Sequence, residues 1–216
     1  MTRKHFSDAL TAVNDEILKM GVMVEEALRD AVTSLKNQDT RKAQLVIDRD
    51  EAVNAKEMAL FDRVTTLLAT EQPVAGDLRH LIGAVRIVTD LERAGDYAVH
   101  IAEGTLHLQG EEYLKPLTVI PAMGEIAVEM LQRAIKAFLD EDTDAAIETA
   151  SLDRKMDDLY SEIFEVLLPH MRENPTDVKQ STELLFLARY LERMGDHVVN
   201  ICEWIVYCQS GKHVEL

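Results

Sequence analysis

The segment Leu91-Glu92-Arg93-Ala94-Gly95-Asp96 recurs as Leu191-Glu192-Arg193-Met194-Gly195-Asp196, displaced by 100 positions. The echo continues at Ile101 and Glu103 against Ile201 and Glu203. Upstream, Met20-Gly21 matches Met123-Gly124, Asp39-Thr40 matches Asp142-Thr143, and Asp50 with Val53 and Asn54 matches Asp153 with Met156 and Asp157, all displaced by 103. Several ordered matches in one register mean that the chain is a duplicated unit. The change from 103 to 100 puts a length difference of three residues in the turn before the last helix of each unit. Whatever one copy folds into, the other must fold into as well, so the 216 residues divide into two related units, 1–112 and 113–216.

Hydrophobic spacing says what each unit is. Phe6, Leu10, Val13, Ile17, Met20, Val24, Ala27, Ala31 and Leu35 follow alternating steps of four and three. So do Leu184, Ala188, Leu191, Gly195, Val198, Cys202 and Ile205, and this is the seam of near-antiparallel helix packing. Strand alternation is absent. Breakers are grouped at Pro73 with Gly76, at Gly110 to Pro121 and at Asn174-Pro175, while Asp39-Thr40 and Asp142-Thr143 supply N-cap chemistry. The pattern predicts an all-α chain of six long helices, about 3–37, 40–70, 74–109, 117–140, 143–172 and 176–210, arranged as two tandem three-helix bundles. Pro169 is expected to kink or end the fifth helix, and Asn174 with Pro175 to start the sixth.

A formal charge of −16 argues against a nucleic-acid surface, which needs basic residues to neutralise phosphate, and suits cations or basic partners. The first ten residues carry no apolar secretory core, and no stretch reaches the length of a membrane span, so a cytoplasmic protein is expected. Cys202 and Cys208 are six apart, which matches neither a CxxC motif nor a disulfide framework, and they read as apolar filler.

The repeated acids sit one position after seam residues, about 100° around the helix and therefore at its edge. The edges read Glu92, Asp96, Glu103 and Glu192, Asp196, Glu203 on the last helix of each unit. On the middle helices they read Asp50, Asn54, Glu57, Phe61 and Asp153, Asp157, Tyr160. If these edges meet, Asp153 and Asp157 face Glu192 and Asp196, and Asp50, Asn54 and Glu57 face Glu92 and Asp96. Such pairs are ordinarily solvated surface, but repetition at one seam offset points to a shared counter-charge: Arg93 and Arg193, or a metal. Oxygen-only ligands suit Mg²⁺, Mn²⁺, Ca²⁺ and iron. Gly95 and Gly195 on the seam are explained by close helix approach, which would draw the acids nearer their partners. Asn54 lowers the charge of the first site, so the second is the stronger candidate. His100 reads as a bystander and His197 as facing elsewhere. No Glu-x-x-His, phosphate loop, nucleophile elbow or cysteine zinc set occurs.

The doubled Leu-Glu-Arg-x-Gly-Asp, with Asp50-x-x-x-Asn54, Gln72-Pro73-Val74-Ala75-Gly76-Asp77-Leu78-Arg79 and Asn200-Ile201-Cys202-Glu203, resembles the PhoU family over essentially the whole chain. The resemblance implies a non-enzymatic cytoplasmic negative regulator of phosphate uptake and of the phosphate regulon. It implies an adaptor between the ATPase subunit of a phosphate ABC transporter and a phosphate-sensing histidine kinase, at the membrane only through those partners, and a homodimer. It further implies metal ions (Mg, Mn, Fe or Zn) at paired acidic motifs, here Glu92 with Asp96, Glu192 with Asp196, Asp153 with Asp157, and Asp50 with Asn54. The competing expectation is an iron carboxylate protein for redox chemistry or storage.

Overall fold

The computed structural model describes residues 3–114 and 119–216. The helices are α1 (Arg3–Asn37), α2 (Thr40–Glu71), α3 (Ala75–His107), α4 (Val119–Leu139), α5 (Thr143–Ala150), α6 (Asp153–Glu173) and α7 (Val178–Ser210), and there is no strand among the described residues. The predicted start of the fourth helix at residue 117 lies outside the described residues.

The caps appear where the sequence places them. Asp39 accepts from the backbone N–H of Arg41 and Lys42 at 3.1 and 3.0 Å, and Asp142 from that of Ala145 at 2.9 Å. The preceding residues, Gln38 (φ 52°) and Glu141 (φ 54°), are both left-handed. The turns also share their closing bonds, Asp39 N–H to Ser34 O and Asp142 N–H to Ala137 O, each at 2.9 Å. One turn is thus built twice, with the same chemistry.

Three expectations need correction. The fifth predicted helix is two helices, because the chain bends at Ser151-Leu152 between α5 and α6. Pro169 does not end α6, which runs on to Glu173. Asn174-Pro175 starts a 3-10 turn (Pro175–Asp177) and not α7 itself; Asn174 makes no N-cap bond and its Nδ2 instead donates back to His170 O at 3.2 Å, while Asp177 binds His170 at 2.9 Å.

Of the predicted α1 seam, Val13, Ile17, Met20, Val24, Ala31 and Leu35 are buried, but Leu28 takes the buried place expected for Ala27. On α7 the whole predicted seam is buried, and a second stripe (Leu187, Met194, Ile201, Cys208) is buried with it. The second stripe exists because α7 packs against α3 as well as against α4, α5 and α6. Both units therefore feed one continuous core. Cys202 and Cys208 lie in it, their thiols pushed by burial to about 12 and about 11, which suits inert filler.

The units join by a swapped contact. A Cβ at Gly21 would meet Ile135, and one at Gly124 would meet Val32. Positions 21 and 124 correspond, as do 32 and 135, so α1 and α4 make one contact twice with the roles exchanged. Between α3 and α7, Tyr97 stacks on Tyr190 (centroids 6.0 Å apart), while at the exchanged positions His197 hydrogen-bonds Asp90 at 2.8 Å. Exchange of this kind is the signature of two-fold packing. The α1/α4 and α3/α7 pairs are thus inner layers on a pseudo-dyad, with α2 and α5–α6 outside them. The connection is pinned too: Gln180 accepts from Leu114 N–H at 2.8 Å and donates to Glu112 O at 3.0 Å, and Tyr113 Oη donates to Leu35 O at 2.9 Å.

Candidate metal centre

Two grooves carry the repeated acids, one between α2 and α3 and one between α6 and α7. In the second groove Asp153, Asp157, Glu192 and Asp196 lie near enough to act on one another electrostatically. Burial first, then Asp157, Asp196 and Glu192, push the Asp153 carboxyl up to about 7. Burial and Asp196 also raise Asp157, and burial and Asp196 raise Glu192 against the opposing effect of Arg189. In the first groove burial raises Asp50, with Asp96 adding to it, and burial, Asp96, Glu57 and Asp50 raise Glu92.

Glycine brings the helices to this distance. A Cβ at Gly195 would collide with Asp153 Oδ1, whereas one at Gly95 would stand 3.3 Å from Val53 and 4.0 Å from Asp50 Oδ1. The second groove is therefore the tighter. Its Asp153 Oδ1 and Glu192 Oε2 are buried without any hydrogen-bond partner. A buried carboxylate oxygen with no donor is costly, and a hard cation would relieve that cost directly.

Asn54 makes the first groove different. Its Nδ2 donates to Asp50 Oδ2 at 3.0 Å, which opposes the rise of Asp50, and leaves its own Oδ1 buried and unpartnered. Glu57 accepts from Thr89 at 3.3 Å, across the α2–α3 groove. The predicted counter-charges are present only at the rim: Arg93 reaches Asp96 at 3.3 Å and Glu92 at 3.6 Å, and Arg193 reaches Asp196 at 3.5 Å. The residue missed in sequence is Arg189, which hydrogen-bonds Glu192 and lies 5.7 Å over the Tyr160 ring. Its signal was available, three positions before Glu192 on the same face.

Other assignments sort cleanly. His197 faces the α3–α7 junction through Asp90. His100 pairs with Glu103 at 3.1 Å. Glu203 leaves the groove to accept from Leu216 N–H at 3.1 Å.

As a donor set the second groove fits an oxygen-preferring cation better than zinc, which favours nitrogen and sulfur. Among the described residues no three His, Cys, Asp or Glu side chains are already gathered as a ligand set. Occupancy therefore requires the carboxylates to draw closer together around the buried Asp153 and Glu192 oxygens.

A tandem pair of helical bundles on a pseudo-dyad, with an acid groove in each half, defines the class of helical-bundle protein to which the chain belongs. The PhoU domain model matches residues 17–105 and again 120–205. The chain belongs to the PhoU family, whose members are accessory regulators. It is 38% identical to the Clostridium acetobutylicum phosphate-specific transport system accessory protein PhoU homolog, over 100% of this chain and 99% of that protein. The crystal structure of PhoU from Pseudomonas aeruginosa superposes with a TM-score of 0.93 at 33% identity, covering 96% of this chain and 100% of that one. The crystal structure of the phosphate transport system regulatory protein PhoU from Streptococcus pneumoniae gives 0.91 at 29% identity, covering 98% and 100%.

Proposed function

We propose that this protein is an accessory regulator of a phosphate-specific transport system, acting as an adaptor that reports transporter state to a sensor histidine kinase. The observation that carries the regulatory reading is likeness over the full chain to proteins of that description, with both copies of the domain present. The finer roles follow from the sequence resemblance: contact with the transporter ATPase subunit and the kinase, negative control when phosphate is plentiful, and a cytoplasmic site of action. No helix among the described residues is long and apolar enough to cross a membrane, which accords with attachment through partners. Deleting the gene should release a phosphate-starvation reporter at high phosphate. Unchanged reporter output would sink the reading.

Metal binding is the second part of the proposal. Asp153, Asp157, Glu192 and Asp196 would hold the ion, with Asp50, Asn54, Glu57, Glu92 and Asp96 as the weaker copy. The supporting observation is the pair of orphaned oxygens on Asp153 and Glu192. The ion would supply positive charge that fixes α6 to α7; the chain's own carboxylates supply the ligands and release their protons. Glu192→Ala with Asp196→Ala should lower the metal content of purified protein by elemental analysis, and equal content in both proteins would refute the site.

A further inference from the structure

The pseudo-dyad emerges on the outer face of α3 and α7, and the exposed residues of that face are not arranged at random about it. Arg93 and Arg193 have side chains 56% and 45% exposed, and Arg193 lies against Tyr97, which stacks on Tyr190. Outside them lie the two acid grooves. One turn beyond Glu57 on the α2 edge stands Phe61, 51% exposed; one turn beyond Tyr160 on the α6 edge stands Phe164, 46% exposed. These two positions correspond under the displacement of 103. Neighbouring surface positions have diverged between the copies, since Met58 answers to Ser161 and Arg86 to Phe186. An isolated exposed phenylalanine is ordinary, but the same one kept in both copies amid divergence calls for a use.

Val53 packs at the level of Gly95 and Met156 at the level of Gly195, close to the dyad. Each Phe lies eight residues further along its helix, about 12 Å at the α-helical rise, in opposite directions. We infer that this face is a two-fold docking surface, and that its occupant is a homodimeric protein presenting a basic patch and an apolar socket on each side of its own axis. One copy of this chain would then serve one partner dimer, using each half once. A second copy of this chain is a poor occupant, because a molecule of charge −16 would set acid groove against acid groove. The inference rests on the adaptor reading and adds to it the surface and the stoichiometry.

The test uses the full chain with the purified dimeric cytoplasmic region of the kinase and, separately, with the transporter ATPase subunit. Native mass spectrometry should find one chain per two partner subunits, a ratio that holds even if the chain self-associates through another face. Phe61→Ser and Phe164→Ser should each weaken binding on the order of tenfold, and together further, with helicity and metal content unchanged. One chain per partner subunit, or full affinity in the double variant, overturns the inference and leaves the adaptor reading intact. Failure of both partners to bind wild-type protein overturns both.

Discussion

At residue scale the decisive side chain is Asp153. Its carboxyl is raised to about 7 by burial and by three neighbouring acids, so the folded state holds this proton over a range in which the unfolded chain has released it. Stability from this group is full below the ordinary aspartate range and is lost as pH rises from about 4 through about 7. Asp157, Glu192, Asp50 and Glu92 are shifted in the same direction. The metal-free protein should therefore melt at a lower temperature at pH 7.5 than at pH 5.5. Asp153→Asn should raise its stability at pH 7.5 by on the order of 1–2 kcal/mol after allowing for solvent screening, and saturating Mn²⁺ should flatten the pH dependence. Melting curves that are pH-independent without metal would contradict the account. Gly195 gives a second handle. Gly195→Ala places a methyl against Asp153 Oδ1, whereas Gly95→Ala meets the more yielding Val53 side chain. Calorimetric titration with Mn²⁺ should show weaker binding for the first variant and little change for the second; equal affinities would mean that the close approach is irrelevant to the site.

At the scale of elements, the twin turns before α2 and α5 invite a paired measurement. Asp39 and Asp142 make the same kind of cap after the same left-handed residue. Asp39→Ala and Asp142→Ala should each cost about 1 kcal/mol in urea unfolding. A difference of several kcal/mol between them would show that the copied turns no longer do the same work. The predicted break at Asn174-Pro175 behaves differently. Asn174-Pro175 does interrupt the helix, yet Asp177 is drawn to His170, and a 3-10 turn precedes α7. Local cap chemistry lost there to a side chain only seven residues back, because His170 on the last turn of α6 takes both Asp177 and the Asn174 amide.

For the whole molecule, the continuous core and the swapped contacts mean that neither half is complete alone. A fragment ending at residue 112 would expose the α7-facing stripe of α3, including Gly83, which packs on Cys208, and Gly104, which packs on Leu187. Sedimentation of the 1–112 and 113–216 fragments should find them unfolded or self-associated. Two stable, fully helical monomers would show that the units are independent domains.

The amino-acid sequence alone determined the all-α class, the duplication, the acid edges and the departure from the repeat at Asn54, because helical period and cap chemistry are local and a repeat carries its own register. It did not reveal the break at Ser151-Leu152, the passage of α6 through Pro169, or Arg189 over Tyr160. Only the tertiary structure decided which edges meet, how the halves pack, and where unpartnered oxygens are left. Those depend on contacts between residues far apart in the chain, and a helix presents the same edge whether a neighbour covers it or water does.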